Sequence, residues 1–119
     1  MMVSRVVQLI CIIILQQVSP RDNIACVGDS LTMGQKGNSQ TSYPDELQLL
    51  LDPNKYKVLN FGSNSATAQT KGDFPYRKWN FLPALNSLPS IVLIMLGTND
   101  SKPQNWNETQ YIIDYTQMI

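Results

Sequence analysis

The chain has 119 residues, no net formal charge, and 43% hydrophobic against 15% charged residues, which predicts one globular domain rather than a disordered chain. Because it has neither a basic surplus nor an acidic run, no nucleic-acid partner is expected. Of its two cysteines, Cys11 lies in a segment that is expected to be removed, and Cys26 alone cannot build a disulfide framework or a metal cluster, so no metal site is expected.

The first segment differs from the rest. Arg5 precedes a mainly apolar stretch over residues 6–18. This stretch is shorter than the ~20 apolar residues of a membrane-spanning helix, so no stable membrane span is expected. A positive end and a short apolar stretch are typical of a signal peptide, predicted here over residues 1–19, and indicate a secreted protein or one of the endomembrane lumen. An uncleaved signal anchor and a buried first strand or helix are the alternatives. The sequon at Asn107 is consistent with export.

From residue 22 onward, strand and helix patterns alternate. In chain order we predict a strand over 23–28, a helix over 42–51, a strand over 56–62, a helix over 76–88 broken around Pro83, a strand over 90–97 and a helix over 106–119. This order is typical of an α/β domain with a parallel sheet. The last strand is apolar on both faces, as expected for a central parallel strand. Residues 22–119 are expected to be the first three strands of such a domain, with its C-terminal part missing.

Local signals fix the helix starts. Ser42 and Pro44 mark the beginning of the second element, and Asn107 marks the beginning of the last helix. In that last helix, Ile112, Tyr115 and Ile119 are expected to lie on one face.

Polar motifs follow all three strands, namely Gly28-Asp29-Ser30, Asn60-Phe61-Gly62 and Gly97-Thr98-Asn99-Asp100. The carboxyl ends of parallel strands meet at one edge of the sheet, where ligands bind in such folds. Each motif alone could be an ordinary turn or helix cap. Together they bring a serine, a glycine and an asparagine to one edge. A nucleophilic serine needs a base and donors for an oxyanion, and the N–H groups of Ser30 and Gly62 and the side chain of Asn99 could be those donors.

The segments VGDSLTMG, LNFGSNSAT and IMLGTND resemble the first three sequence blocks of the SGNH hydrolases, also called the GDSL esterase/lipase family. The resemblance implies a flavodoxin-like α/β/α sandwich, no cofactor, and ester hydrolysis through an acyl-enzyme. It implies that Ser30 is the nucleophile and that Gly62 and Asn99 complete the oxyanion hole with the Ser30 amide. It also implies supporting residues, namely Gly28, Asp29 and Asp100.

The expected substrate follows from two further segments. KGDFPY and GTNDSKPQNW resemble secreted members that act on acylated carbohydrates. The resemblance therefore implies a small-molecule or carbohydrate ester, with lipid esters as the other class. Tyr76, Trp79 and Trp106 could line a sugar-binding pocket or be packing residues.

Two departures from the family pattern affect the chemistry. Asn64-Ser65 stands where the second block usually carries another glycine. The family's fourth block, Asp-x-x-His, supplies the base, but this chain contains no histidine, and Asp114 has none three residues on. We therefore expect the N-terminal portion of an SGNH hydrolase domain, with little or no turnover alone. A non-catalytic SGNH-like remnant and a flavodoxin-like module that binds a phosphate or flavin are the alternatives.

Overall fold

The computed structural model describes the backbone of residues 10–14 and all of residues 21–34 and 41–119. Its strands are β1 (Ile10–Ile14), β2 (Asp22–Gly28), β3 (Tyr56–Gly62) and β4 (Ile91–Met95). Its helices are α1 (Ser30–Met33), α2 (Tyr43–Leu50), α3 (Tyr76–Trp79), α4 (Phe81–Asn86) and α5 (Glu108–Thr116).

The strands form one sheet in the order β1-β4-β2-β3. Strand β2 pairs in parallel with both β3 and β4, and Gly28 at its end lies beside Gly62 and Met95. The predicted three-stranded parallel sheet is therefore confirmed. This register brings the carboxyl ends of β2, β3 and β4 to one edge, as the polar motifs require.

Helices cover both faces of the sheet. On one face, Ala25 and Val27 of β2 lie in the main apolar cluster, which also contains Ala84 of α4 and Tyr115 of α5. On the other face, the next residue of the alternation, Cys26, is buried beside Tyr43 of α2. Alternate residues of one strand thus face opposite helix layers, which confirms the α/β/α arrangement.

Strand β1 pairs antiparallel with β4, with Ile10 opposite Met95 and Ile14 opposite Ile91. Apart from Ile10–Ile14, the predicted signal peptide over residues 1–19 lies outside the described residues. A strand at this position matches one of the alternatives for the apolar segment, and the signal peptide stays a prediction. Among the residues that the structure describes, no helix is both long and apolar enough to cross a membrane.

Side chains cover the outer edge of β3. Gln48 of α2 accepts from the backbone N–H of Val58 at 2.8 Å and donates to the carbonyl of Tyr56 at 3.3 Å. Unpaired strand edges invite pairing with other chains. Here Gln48 of α2 supplies partners for two backbone groups of that edge.

Two details of the helices differ from the predictions. The break in the predicted helix over 76–88 falls at Asn80 rather than around Pro83. Pro83 is the third residue of α4, where a backbone N–H has no intrahelical acceptor and proline costs no hydrogen bond.

Of the three residues predicted to lie on one face of the last helix, Tyr115 is buried, whereas Ile112 and Ile119 are exposed. The buried residues of α5 are Tyr111, Asp114 and Tyr115, and Met118, just after the helix, is buried as well. The hydroxyls of both tyrosines donate to backbone carbonyls of the neighbouring β4 region at 3.0 Å, so these amphipathic side chains satisfy their polar ends inside the core.

Candidate active site

Ser30 is the first residue of α1, directly after the end of β2, and it is exposed. Buried Asp29 caps this one-turn helix, with its Oδ1 accepting from the Leu31 N–H at 2.9 Å. The first N–H group of a helix has no intrahelical acceptor, so helix geometry leaves the Ser30 N–H available to a ligand. A Cβ on Gly28 would lie 1.9 Å from Thr32 Oγ1, so the absence of a side chain there lets α1 approach the strand.

Two buried carboxyl groups lie below this turn. Burial raises the pKa of Asp29, and the negative charge of Asp100 raises it further, while the Leu31 N–H opposes the shift. Burial likewise raises the pKa of Asp100, and the hydrogen bonds that it accepts from backbone N–H groups partly oppose this shift. Asp100 of the third motif therefore lies close enough to Asp29 of the first motif to raise its pKa.

Asn99 and Asp100 fix the segment that follows β3. Asp100 is fully buried, and its two oxygens accept from the N–H groups of Ala68 at 2.9 Å and Gln69 at 2.8 Å. The Asn99 Nδ2 donates to the Ala66 carbonyl at 3.1 Å. One hydrogen of the Asn99 amide is used in this bond, so its second hydrogen can serve an oxyanion.

The Gly62 N–H has an acceptor in this structure. It donates to Oδ1 of Asn60 at 2.9 Å. A Cβ on Gly62 would lie 2.2 Å from the backbone N of Met33, so the absence of a side chain also permits contact between β3 and α1. For this N–H to bind an oxyanion, its bond to Asn60 would have to break.

Ser65 is one of the two residues, Asn64 and Ser65, that stand where the resemblance places an additional glycine. Its φ of 62° lies in the left-handed region that glycine adopts without steric cost. A residue with a Cβ pays roughly 1–2 kcal/mol there. The backbone conformation thus gives a physical reason for glycine at this position.

The predicted pocket aromatics divide into two groups. Tyr76 is fully buried and donates its hydroxyl to the Phe61 carbonyl, and the ring of Trp106 lies 5.5 Å from that of Tyr111. Trp79 is exposed, with the Lys78 ammonium 4.7 Å from its ring centroid. Tyr76 is therefore a core residue, and Trp106 is partly buried against the core. Across residues 21–34 and 41–119, no group of three acidic, histidine or cysteine side chains could hold a metal ion.

The match to known proteins extends over most of the chain. The model of the GDSL-like lipase/acylhydrolase family matches residues 26–119. The chain belongs to this family. It is also 42% identical over 100 residues to an acetylxylan esterase of Xylanibacter ruminicola. The matched region covers 81% of this chain but 21% of that protein, so the chain spans about a fifth of the relative's length. No solved structure matches.

In this GDSL-family chain, further polar residues hydrogen-bond to the segments that carry the three motifs. The buried carboxylate of Asp114 accepts from the Thr70 N–H at 2.7 Å and from its hydroxyl at 3.0 Å. Asn105 donates to the Asn99 carbonyl at 3.0 Å. Asn60, in the second motif, contacts both α1 and Gly62. Only Asn60 had a sequence signal, through its place in that motif.

Proposed function

We propose that the protein is a carboxylic ester hydrolase that uses Ser30 as its nucleophile. The observation that carries this is the position of Ser30, exposed at the start of a capped helix at the edge where the third motif brings Asn99. Membership of the acylhydrolase family supports the reaction class. Ser30 Oγ would attack the ester carbonyl carbon, and loss of the alcohol would leave an acyl group on the serine, which water then removes.

The tetrahedral intermediate would be stabilised by the Ser30 N–H and by the free hydrogen of the Asn99 amide. Gly62 would be a third donor after its N–H broke the hydrogen bond to Asn60 Oδ1 and formed one to the oxyanion. Removing one such donor typically costs 10²–10³ in rate, roughly 3–4 kcal/mol. Gly28, Asp29 and Asp100 would support these groups by fixing the two turns that carry them.

The proton of Ser30 needs an acceptor, and these 119 residues include no histidine. We therefore expect the chain alone to form the acyl-enzyme slowly. A diffusible base should replace part of the missing function. Imidazole suits this role because its ring titrates near neutral pH.

The test is acetylation of the chain by p-nitrophenyl acetate, followed by mass spectrometry of the peptide that contains Ser30, with and without imidazole. We expect acetyl-Ser30 to form at a rate that rises with imidazole concentration. Ser30→Ala should abolish it, whereas Ser87→Ala should not, since the Ser87 carbonyl accepts from Asn23 at the opposite end of β2. Absence of acetyl-Ser30 at every imidazole concentration would contradict the proposal and favour the non-catalytic alternative.

We further propose an acylated carbohydrate as substrate and export from the cytoplasm. The similarity to a protein named acetylxylan esterase supports the carbohydrate substrate. Release of acetate from acetylated xylan, compared with release of fatty acid from a triglyceride emulsion, would test it under the same imidazole conditions. Faster Ser30-dependent hydrolysis of the triglyceride would contradict the carbohydrate assignment.

A further inference from the structure

Asn60 lies near the end of β3, beside the helix that carries Ser30. Its Nδ2 donates to the carbonyl of Thr32 at 2.9 Å and to that of Met33 at 3.3 Å. Its Oδ1 accepts from the Gly62 N–H at 2.9 Å. One side chain therefore joins the C-terminal end of α1 to the last residue of β3.

Helix α1 needs such a partner because it is a single turn of four residues. The last carbonyls of a helix have no intrahelical donor, and a helix this short is not stable by itself. Asp29 satisfies the N-terminal end. Asn60 satisfies carbonyls at the other end, so each end of the helix is held by a side chain from outside it.

The surrounding contacts leave α1 little freedom while Asn60 is in place. Gly62 approaches so closely that a Cβ there would meet the Met33 backbone. The Asn60 Nδ2 also lies 3.4 Å from Oγ of Ser42, the residue that caps α2. Asn60 thus lies where α1, α2 and β3 meet.

We propose that Asn60 is a positioning residue for the nucleophile, which holds α1 and so sets where Ser30 points. This inference rests on the proposed function of Ser30. Asn60 contacts no reacting atom in this arrangement. It would act through the helix, and its Oδ1 would release the Gly62 N–H when that group binds the oxyanion. Because misplacement of a catalytic group by about 1 Å can cost 10²-fold in rate, a loosened α1 should slow acylation.

The test compares Asn60→Asp with Asn86→Asp in the full chain. Asn60→Asp keeps an acceptor for the Gly62 N–H but removes both donors to the helix carbonyls. Asn86 is an exposed residue at the end of α4, and its substitution is the matched control. Amide hydrogen exchange by NMR reports the helix directly, because the N–H groups of Met33 and Gly34 donate to carbonyls of Asp29 and Ser30.

We expect exchange at Met33 and Gly34 to become roughly tenfold faster in Asn60→Asp, with unchanged exchange in β4, because a local contact is lost. Exchange that stays at the wild-type rate would overturn the proposal. So would an equal acceleration throughout the sheet, since that would indicate general destabilisation. If Asn60→Asp does not fold, Asn60→Ser provides the same comparison with a neutral side chain.

The second readout is acetylation of Ser30 by p-nitrophenyl acetate in imidazole. We expect the saturating rate to fall by about 10- to 100-fold in Asn60→Asp without a change in the half-saturating ester concentration. Faster exchange in α1 with an unchanged acetylation rate would overturn the positioning role. If the wild type is not acetylated at all, the proposed function fails, and the exchange data still decide whether Asn60 holds α1.

Discussion

Replacing Asp100 by asparagine tests how strongly the site depends on its buried carboxylate. The carboxylate accepts two backbone N–H groups at 2.9 and 2.8 Å and has no exposure to solvent. Asparagine retains one acceptor oxygen and presents an NH₂ group to the other N–H. One buried backbone donor, on Ala68 or Gln69, therefore loses its partner.

The magnitude follows from these two bonds. A hydrogen bond to a charged group contributes about 1.5–3 kcal/mol, and an unsatisfied buried group costs about 1–3 kcal/mol. Burial of the charged carboxylate is unfavourable and raises the pKa of Asp100. Because asparagine is neutral, the substitution removes that cost and offsets part of the loss. We expect the free energy of unfolding to fall by about 2–3 kcal/mol, which at a urea m-value near 1.5 kcal/mol/M lowers the midpoint by roughly 1–2 M.

The assay is equilibrium unfolding in urea at neutral pH, followed by circular dichroism. Asp52→Asn is the control, because Asp52 is exposed and its side chain accepts from one exposed backbone N–H, that of Asn54. Its unfolding free energy should stay within about 0.5 kcal/mol of the wild type. Equal midpoints for Asp100→Asn and Asp52→Asn would refute the assignment of Asp100 as the anchor of the segment after β3.

Three further predictions concern other parts of the same edge. Burial raises the pKa of Asp29 in the folded protein, so its contribution to the unfolding free energy should be largest below the pKa of the unfolded chain and should decline as pH rises through the folded pKa. The unfolding free energy in urea should therefore differ between wild type and Asp29→Asn by an amount that decreases from about pH 4 to 7. The buried Cys26 thiol, whose pKa is raised by burial, should react with a thiol reagent only after unfolding, measured in a Cys11→Ser background. Gly62→Ala should lower the unfolding free energy by about 1–3 kcal/mol, because its Cβ would clash with backbone atoms of Met33.

Each of these has a clear contrary result. A pH-independent difference between wild type and Asp29→Asn would show that this carboxyl does not titrate differently on folding. Rapid labelling of Cys26 under native conditions would mean that β2 opens locally. For Gly62→Ala, the neighbouring substitution Ser63→Ala is the control, and equal unfolding midpoints would show that α1 can move away at little cost.

The sequence by itself determined most of the elements from residue 22 onward, and their order. Strands at 56–62 and helices at 43–50 and 108–116 follow from short-range signals, such as the capping box of Ser42 and the cap on Asn107. Ser30, Asn99 and their neighbours could be assigned to one sheet edge because parallel strands bring their carboxyl ends together. That inference needs no knowledge of side-chain contacts.

Tertiary structure decided which polar groups hold that edge. The bond from Thr70 to Asp114 joins residues 44 positions apart, and the bond from Asn60 to Thr32 joins residues 28 apart. No local pattern encodes such partners, because they depend on how helices pack on the sheet. Packing also selected Tyr111 rather than Ile112 for the buried face of α5, since the tyrosine hydroxyl finds a carbonyl in the core. Local periodicity therefore specified the helices and strands. The hydrogen bonds that hold the polar motifs at the sheet edge depended on residues far apart in the chain.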